Sequence, residues 1–309
     1  MGHSNWSNDA YTDLSSSKSY ATKSADDIFS KSVKKDMLPK DVDVRESRDS
    51  DAHPESLAVA IFLDDTGSMG RIPEDIVKNE LPTLMNTIID NGVEHPQILF
   101  GAINDHHCMN YCDAPIQIGQ FESGTDELDK WLTSVAIQGG GGAQSRESYL
   151  LAWYFAGRHT SIDCFEKRNE KGFLFTIGDE MSWDSLSRDV IEQIFGGEAP
   201  EGVTDKQLLE EAQRLYNVYH IHVNEASYRD DPTVLGYWKD MLGERLIIVN
   251  DYTAICATIA TLIAVQHGVD INDVTSKFDS KIAGLVTTAL ATVATGAIVS
   301  KNDDGVIKL

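Results

Sequence analysis

The sequence predicts an α/β fold, Rossmann-like, with a doubly wound, mostly parallel central sheet and helices on both faces. Two observations lead to this prediction. Apolar runs recur from residue 57 onward, and segments with helical periodicity separate them. Uninterrupted apolar runs are typical of strands that are buried on both faces of a parallel sheet, and their alternation with helices is typical of doubly wound domains.

The order of these segments gives the predicted elements. The apolar runs, each predicted as a strand, lie at 57–63, 98–103, 173–177, 218–223 and 246–249. The segment PIQIGQF at 115–121 alternates apolar and polar residues, which predicts an edge strand that can pair antiparallel. The helical patterns lie at 73–90, 126–137, 145–159, 234–242 and 252–268.

Composition divides the chain into three parts. Residues 1–54 are rich in Ser, Asp and Lys and poor in apolar residues, which predicts a solvated, partly disordered N-terminal arm with a short helix inside 27–39. The α/β domain is predicted at 55–268. Residues 269–309 are predicted to form a linker and a C-terminal amphipathic helical tail.

The tail contains an uncharged stretch at 282–299, long enough for a membrane span by length alone. Its Thr and Gly residues disfavour membrane contact and favour an amphipathic helix. We expect this helix to pack on the domain or on a partner, including a second copy of the chain. The apolar residues at helical spacing are Ile282, Leu285, Val286, Leu290 and Val293.

Charge and cysteine content limit the functional classes. The 309 residues include 49 Asp and Glu against 26 Lys and Arg, for a formal net charge of −23. This balance argues against a nucleic-acid partner, because a phosphate backbone requires a basic surface. The 4 cysteines are too few and scattered for a disulfide framework, and the N-terminus lacks the pattern of a secretory signal. A cytoplasmic protein is expected.

A candidate metal site follows the first strand. In LDDTGSMG at 63–70, Asp64, Thr66 and Ser68 alternate, so a tight loop can turn one carboxylate and two hydroxyls toward one point. Ligands in doubly wound folds bind at the carboxyl ends of the strands. Oxygen ligands suit a hard divalent cation, above all Mg²⁺, with Mn²⁺ or Ca²⁺ as alternatives.

The pattern D-x-[ST]-x-S followed by Met resembles the metal-ion-dependent adhesion site of von Willebrand factor A (vWA) domains. The resemblance covers about 55–268, and the last strand and helix look like those of stand-alone bacterial members. It implies two further loops, the glycine-rich QGGGGAQSRES at 138–148 and the end of FLFTIGDE at 173–180, which gives Asp179. The glycine-rich loop lacks the family's Thr or Asp, which leaves Gln144 or Ser145 as its ligand.

The resemblance also implies a function. It favours a non-catalytic adaptor or scaffold whose bound ion captures an Asp or Glu of a protein partner. Stand-alone bacterial members often work beside AAA+ ATPases of the MoxR type, so such an ATPase is an implied partner, and the source is expected to be bacterial or phage.

Two other functions compete with this interpretation. A Mg²⁺-dependent phosphoester hydrolase would need a second Asp two positions after Asp64, where the chain has Thr66, and Asp65 is expected to point elsewhere. No phosphate-binding loop or nucleophile elbow occurs, so we expect no enzyme activity. The other alternative is a structural subunit that assembles through its tail.

Other residues near the strand ends allow more than one interpretation. The segment DDTGSM also fits a turn with a helix N-cap. HHCMNYC at 106–112 fits a zinc site less well than a polar loop, and Asp105 before it can lie behind the metal ligands. His220 and His222 are expected in the core or at its rim, whereas Met181 and Trp183 fit the core or an apolar rim of the site.

Overall fold

A central sheet with six strands organises the computed structural model, which describes residues 4–66, 69, 71–109, 113–140, 145–199 and 201–297. The spatial order of the strands is β6-β5-β4-β1-β2-β3. The strands are β1 (Leu57–Asp64), β2 (Pro96–Ile103), β3 (Ile116–Ile118), β4 (Gly172–Gly178), β5 (Tyr216–Val223) and β6 (Leu246–Val249).

All neighbouring pairs in this sheet are parallel except β2 and β3, which are antiparallel. Every residue of β1, β2 and β4 is buried, as expected for strands covered on both faces. The predicted fold class is therefore confirmed, including the antiparallel edge strand.

The strand order places a crevice between β1 and β4. From β1 the chain continues to β2 and β3 on one side, and it then crosses to β4, β5 and β6 on the other. Such a reversal leaves an opening at the carboxyl ends of the two strands that flank it. Leu63 of β1 pairs with Ile177 of β4, so Asp64 and the residues that follow β4 lie at the same edge.

The helices connect these strands. A π-helical turn at Ile76–Glu80 separates α3 from α4. The bounds are α1 (Asn8–Ser17), α2 (Ala25–Ile28), α3 (Arg71–Asp75), α4 (Leu81–Ile89), α5 (Thr125–Ser134), α6 (Tyr149–Arg158), α7 (Asp163–Arg168), α8 (Arg188–Phe195), α9 (Asp205–Leu215), α10 (Pro232–Leu242), α11 (Ile255–Gln266), α12 (Ile271–Thr275) and α13 (Ser280–Ala297).

The predicted helices differ from the observed ones mainly at their ends. The pattern at 145–159 becomes helical only from Tyr149, because Arg146–Glu147 forms a short strand instead. α7, α8 and α9 were not predicted. For α9 the sequence does contain a signal, since Thr204 and Gln207 form a capping box at its start.

Residues 4–54 pack on the domain, whereas the sequence predicts a solvated arm. The hydroxyl of buried Tyr11 donates to the backbone oxygen of Val77 over 2.5 Å. The hydroxyl of buried Tyr20 donates to Asp129 Oδ1 over 2.8 Å, and Lys18 forms an ion pair with the same carboxylate. A few well-placed aromatic residues thus anchor a segment whose average composition is polar. Instead of one helix inside 27–39, the structure has α2 and two short 3₁₀ turns at Lys35–Met37 and Pro39–Asp41.

The C-terminal helix α13 packs its apolar face against other elements of the same chain. Val286, Leu290 and Val293 are buried, and α13 packs against α11 and β6. These three residues are covered by the domain itself, which is one of the two placements expected for this helix, whereas Ile282 and Leu285 are half-buried. Self-association through the tail stays a prediction. Among the described residues, no helix combines the length and the apolar character that a membrane crossing requires.

Candidate metal site

Asp64 ends β1 at the crevice and is buried. Its Oδ1 accepts hydrogen bonds from the backbone N–H of Thr66 at 2.8 Å and from the Thr66 hydroxyl at 2.6 Å. Its Oδ2 accepts from the hydroxyl of Tyr149 at 2.8 Å. Burial raises the pKa of Asp64, and the nearby Asp179 carboxylate raises it further, while these donors oppose the shift.

Asp179 follows β4 directly and is fully buried. Its Oδ2 accepts from the backbone N–H of Tyr228 at 3.3 Å. The parallel pairing of β1 and β4 therefore brings Asp64 and Asp179 to one crevice, although they lie 115 positions apart along the chain. Two buried carboxylates repel each other unless a cation or a proton lies between them.

Asp65 is turned away from this pair, as its position next to Asp64 predicts. Its Oδ1 accepts from the side chain of Asn104 at 2.6 Å, and its Oδ2 accepts from Gln117 at 3.2 Å and from Gln138 at 3.3 Å. Burial raises the pKa of Asp65 to about 7 even though these amides donate to it. Asp65 thus holds the chain that leads into the glycine-rich loop.

The remaining predicted ligands are described only in part. Ser68 and Gln144 lie outside the described residues. Ser145 is half-buried with a φ of 56°, and its backbone oxygen accepts from the N–H of Met181 at 3.0 Å. Of the predicted set, the structure therefore brings together Asp64, Thr66 and Asp179.

A short parallel ladder adds a residue that the sequence analysis did not select. Arg146–Glu147 pairs with Met181–Ser182, which joins the end of the glycine-rich loop to the segment after Asp179. Glu147 is fully buried and lies beside the Glu180 carboxyl. Burial raises the pKa of Glu147 far above its usual range, and the Asp64 and Glu180 carboxyls raise it further.

Glu180 and Asp105 extend this group of buried carboxyls. Burial raises the pKa of Glu180, and Asp179 and Asp105 contribute in the same direction. Asp105 Oδ1 accepts from the indole N–H of Trp183 at 2.8 Å and from the backbone N–H of His107 at 2.9 Å. Acidic residues directly after strand ends, as in the GDE of 178–180, are the signal that would have found Glu180.

The side chains at the crevice include carboxylates and hydroxyls, which are the oxygen donors that a hard divalent cation takes. The described residues do not close around one point, since among them no three or more Asp, Glu, His or Cys side chains are arranged to hold a metal ion. The oxygens of Asp64 are directed at Thr66 and Tyr149. Asp64, Thr66 and Asp179 would hold such an ion, together with the loops of Ser68 and Gln144.

Aromatic and basic side chains border the crevice. Trp183 is half-buried, its ring centroid lies 4.1 Å from that of His107, and the Arg146 guanidinium lies 5.8 Å from the Trp183 ring. Trp183 therefore belongs to the rim of the site.

Three histidines near the site, His106, His220 and His222, are buried, and burial lowers the pKa of each. Burial lowers the pKa of His106 to about 4, and its Nδ1 lies 2.7 Å from the hydroxyl oxygen of Ser148. His220 and His222 are buried, and His220 stacks on Trp238 with centroids 3.5 Å apart. Of the segment 106–112, positions 110–112 lie outside the described residues, and the described part forms no metal-binding group.

Comparisons with known proteins give structural neighbours. No protein-family model matches the chain, and no curated protein matches it. The pilus adhesin SpaC from Lactobacillus rhamnosus GG, in its open conformation, is similar over 71% of this chain and 31% of the adhesin, with 9% identity and a TM-score of 0.45. Proximal thread matrix protein 1 from the mussel byssus is similar over 68% of this chain and 47% of its own, with 10% identity and a TM-score of 0.41.

A vWA domain also occurs among these neighbours. The SpRpn10 vWA domain is similar over 66% of this chain and 94% of its own, with 11% identity and a TM-score of 0.38. The chain spans less than half of the adhesin and of the thread protein. The fold class itself follows from the sheet topology, independently of these similarities.

Proposed function

We propose that this protein is a non-catalytic protein-binding module whose binding depends on a divalent cation, Mg²⁺ in the first instance. The observation that supports this most directly is the meeting of two buried carboxylates, Asp64 and Asp179, at the crevice between β1 and β4. A cation at this point would offset their mutual repulsion.

Each residue has a part in this proposal. Asp64, Thr66 and Ser68 supply the first loop, either directly or through water, and Asp179 holds an ion-bound water. Gln144 or Ser145 supplies the glycine-rich loop. An Asp or Glu of a partner completes the coordination, because oxygen ligands are what Mg²⁺ prefers. In its more specific form, the proposal makes the protein a cytoplasmic adaptor for a MoxR-type AAA+ ATPase.

The test compares the parent protein with Asp64→Asn. We expect calorimetry to show Mg²⁺ or Mn²⁺ binding by the parent and at least a tenfold loss in the variant, with unchanged circular dichroism. Asp205→Asn is the matched control, because Asp205 is also buried but accepts from the Tyr237 hydroxyl at 3.0 Å, at the start of α9. Partner capture should require Mg²⁺ and disappear in EDTA.

Two results would contradict the proposal. Parent-like ion binding by Asp64→Asn would show that the two carboxylates are structural. Hydrolysis of phosphomonoesters that disappears in Asp64→Asn would favour a Mg²⁺-dependent hydrolase instead.

A further inference from the structure

A cavity lies at the opposite edge of the sheet from the crevice. It has a volume of about 350 Å³, and it is lined by the first half of β5, the ends of α10 and α11, the 3₁₀ turn Gly243–Arg245 before β6, and α13. These positions are at the amino ends of β5 and β6, whereas Asp64 and Asp179 lie at the carboxyl ends of β1 and β4. The cavity is therefore separate from the candidate metal site.

Arg245 lines this cavity and has no carboxylate partner in the described part of the chain. It is half-buried, and its guanidinium lies 5.9 Å from the centre of the Tyr219 ring. Arg45 is also half-buried, but its guanidinium donates to the backbone oxygens of Asp36 and Ile118. The other half-buried arginines of the described part form ion pairs with carboxylates: Arg48, Arg146 and Arg168.

The charge balance of the chain makes this exception informative. With 49 Asp and Glu against 26 Lys and Arg, carboxylates are in excess, yet none of the described ones pairs with the Arg245 guanidinium. A guanidinium presents a planar fork of N–H donors that matches a carboxylate. Arg245 is therefore placed to receive a carboxylate from outside the chain.

Other side chains of the cavity suit a small organic ligand. Asn217, Tyr219 and Gln266 contribute two amides and a phenol hydroxyl, and none of these groups hydrogen-bonds to a described residue. Leu242 and Val293 add apolar surface. The volume is at the lower end of the range for small-molecule sites, so the ligand must be small.

Glu244 gives the cavity a second charge, of opposite sign. It is exposed, and it forms no ion pair with Arg245 or with any other described residue. A carboxylate at this position repels a ligand with two negative charges, such as phosphate, and attracts an ammonium group. The two neighbouring charges together match a zwitterion.

We infer that this cavity binds a free α-amino acid with an apolar side chain. The carboxylate of the ligand lies on Arg245, its ammonium group faces Glu244, and its side chain contacts Leu242 and Val293. Because the cavity and the crevice are at opposite edges of the sheet, binding requires no metal ion and does not depend on the proposed function.

The experiment uses the full chain, with L-leucine and L-phenylalanine as the probes. Calorimetry measures their affinities together with those of isocaproate, which is leucine without its ammonium group, and of inorganic phosphate. The variants are Arg245→Gln, Arg245→Lys and Glu244→Gln. Arg188→Gln is the matched control, because Arg188 is exposed on α8, pairs with Glu192 and does not line the cavity. Circular dichroism controls for folding.

We expect the parent to bind L-leucine more tightly than isocaproate or phosphate. Arg245→Gln should bind it at least ~10-fold more weakly, because charge-assisted hydrogen bonds are lost. Arg245→Lys keeps the charge without the planar fork, so it should recover part of the affinity. Glu244→Gln should lose the preference for L-leucine over isocaproate. Arg188→Gln should bind as the parent does, and EDTA should change none of these affinities.

Several results would overturn the inference. One is a parent that binds neither amino acid with a Kd of about 1 mM or tighter. Parent-like binding by Arg245→Gln, or an equal loss in Arg188→Gln, would remove the role of Arg245, and an Arg245→Gln protein that does not fold would assign this residue to the fold. Tighter binding of phosphate or isocaproate than of L-leucine would contradict a zwitterionic ligand. Mg²⁺ binding at the crevice is tested separately by Asp64→Asn.

Discussion

The hydroxyl of Tyr149 donates to Oδ2 of Asp64 over 2.8 Å, and this bond joins the first residue of α6 to the last residue of β1. Tyr149 is fully buried, and its ring packs at 5.0 Å from His220 and 5.5 Å from Trp238. The orientation of the Asp64 carboxylate is therefore determined by a rigid aromatic cluster behind the crevice as well as by its own loop.

The first prediction concerns this bond. Tyr149→Phe keeps the ring in place and removes only the donor, so the fold should be preserved while Asp64 loses its orientation. We expect Mg²⁺ affinity to fall by about 10-fold, the lower end of the range for groups that orient metal ligands. Calorimetry measures the affinity, and circular dichroism controls for folding. An unchanged affinity would show that Thr66 alone orients Asp64.

The second prediction concerns Gly178, which precedes Asp179. A Cβ at this position would lie 1.8 Å from the Tyr149 hydroxyl oxygen, so Gly178→Ala must displace Tyr149 from Asp64. We expect a loss of about 1–3 kcal/mol in the free energy of unfolding from overpacking, and weaker Mg²⁺ binding.

Gly236→Ala in α10 is the matched control for Gly178→Ala. Nothing lies within 4 Å of a Cβ at Gly236, so the helix should gain about 0.5–1 kcal/mol. Urea titrations of both variants measure the difference. Equal stability of the two variants would show that Tyr149 moves aside without cost.

The third prediction concerns pH. His267 Nδ1 lies 2.7 Å from the Ile263 oxygen, and its Nε2 lies 3.0 Å from Glu170 Oε1. Burial lowers the pKa of His267, but Glu170 and the Ile263 carbonyl outweigh it, so the pKa is raised overall. The His267 hydrogen bond lowers the pKa of Glu170.

The directions of these two pKa shifts define the pH range in which the His267–Glu170 pair stabilises the fold. The raised pKa of His267 stabilises the folded protein. This stabilisation is fully present below the unfolded pKa of about 6.5 and is lost as the pH rises through the folded pKa. The lowered pKa of Glu170 stabilises the folded protein above the usual value of 4.5, and this stabilisation is lost as the pH falls through the folded pKa. We expect His267→Gln to cost about 0.5 kcal/mol near pH 5.5, since both groups are partly exposed. A cost that does not change up to pH 8 would indicate lost packing instead.

The fourth prediction concerns the packing of α13. Leu290 is buried, whereas Thr288, two residues earlier in the same helix, is exposed. Leu290→Ala should lower the free energy of unfolding by about 2–5 kcal/mol, whereas Thr288→Ala should have little effect. If Leu290→Ala changed the mass of the particle in solution and left the melting temperature unchanged, α13 would serve association and not the core.

The features that depend on the residues of a single strand could be predicted from the sequence. Apolar runs identify β1, β2, β4, β5 and β6, and the parallel order places Asp64 and Asp179 at one edge. Glu147 and Tyr149 were not predicted as parts of the site, because their positions depend on the ladder between 146–147 and 181–182. These two-residue strands are too short to leave a periodic pattern in the sequence.

The N-terminal segment was misjudged for a related reason. An average over 1–54 is polar, but Tyr11, Tyr20 and Met37 are each buried. Single buried residues decide whether such a segment packs, and the mean composition of the segment does not reveal them. The direction of Asp65, in contrast, followed from its position beside Asp64.

The packing of residues 4–54 also bears on how the protein can be shortened. The backbone N–H of Ser30 donates to the Val135 oxygen at 3.0 Å, just before the chain enters the glycine-rich loop. A fragment started at residue 55 would expose the surfaces that now receive Tyr11 and Tyr20, and it would release the stretch that leads into that loop. Such a fragment would be prone to aggregate, and a metal-binding measurement made on it would describe an altered crevice.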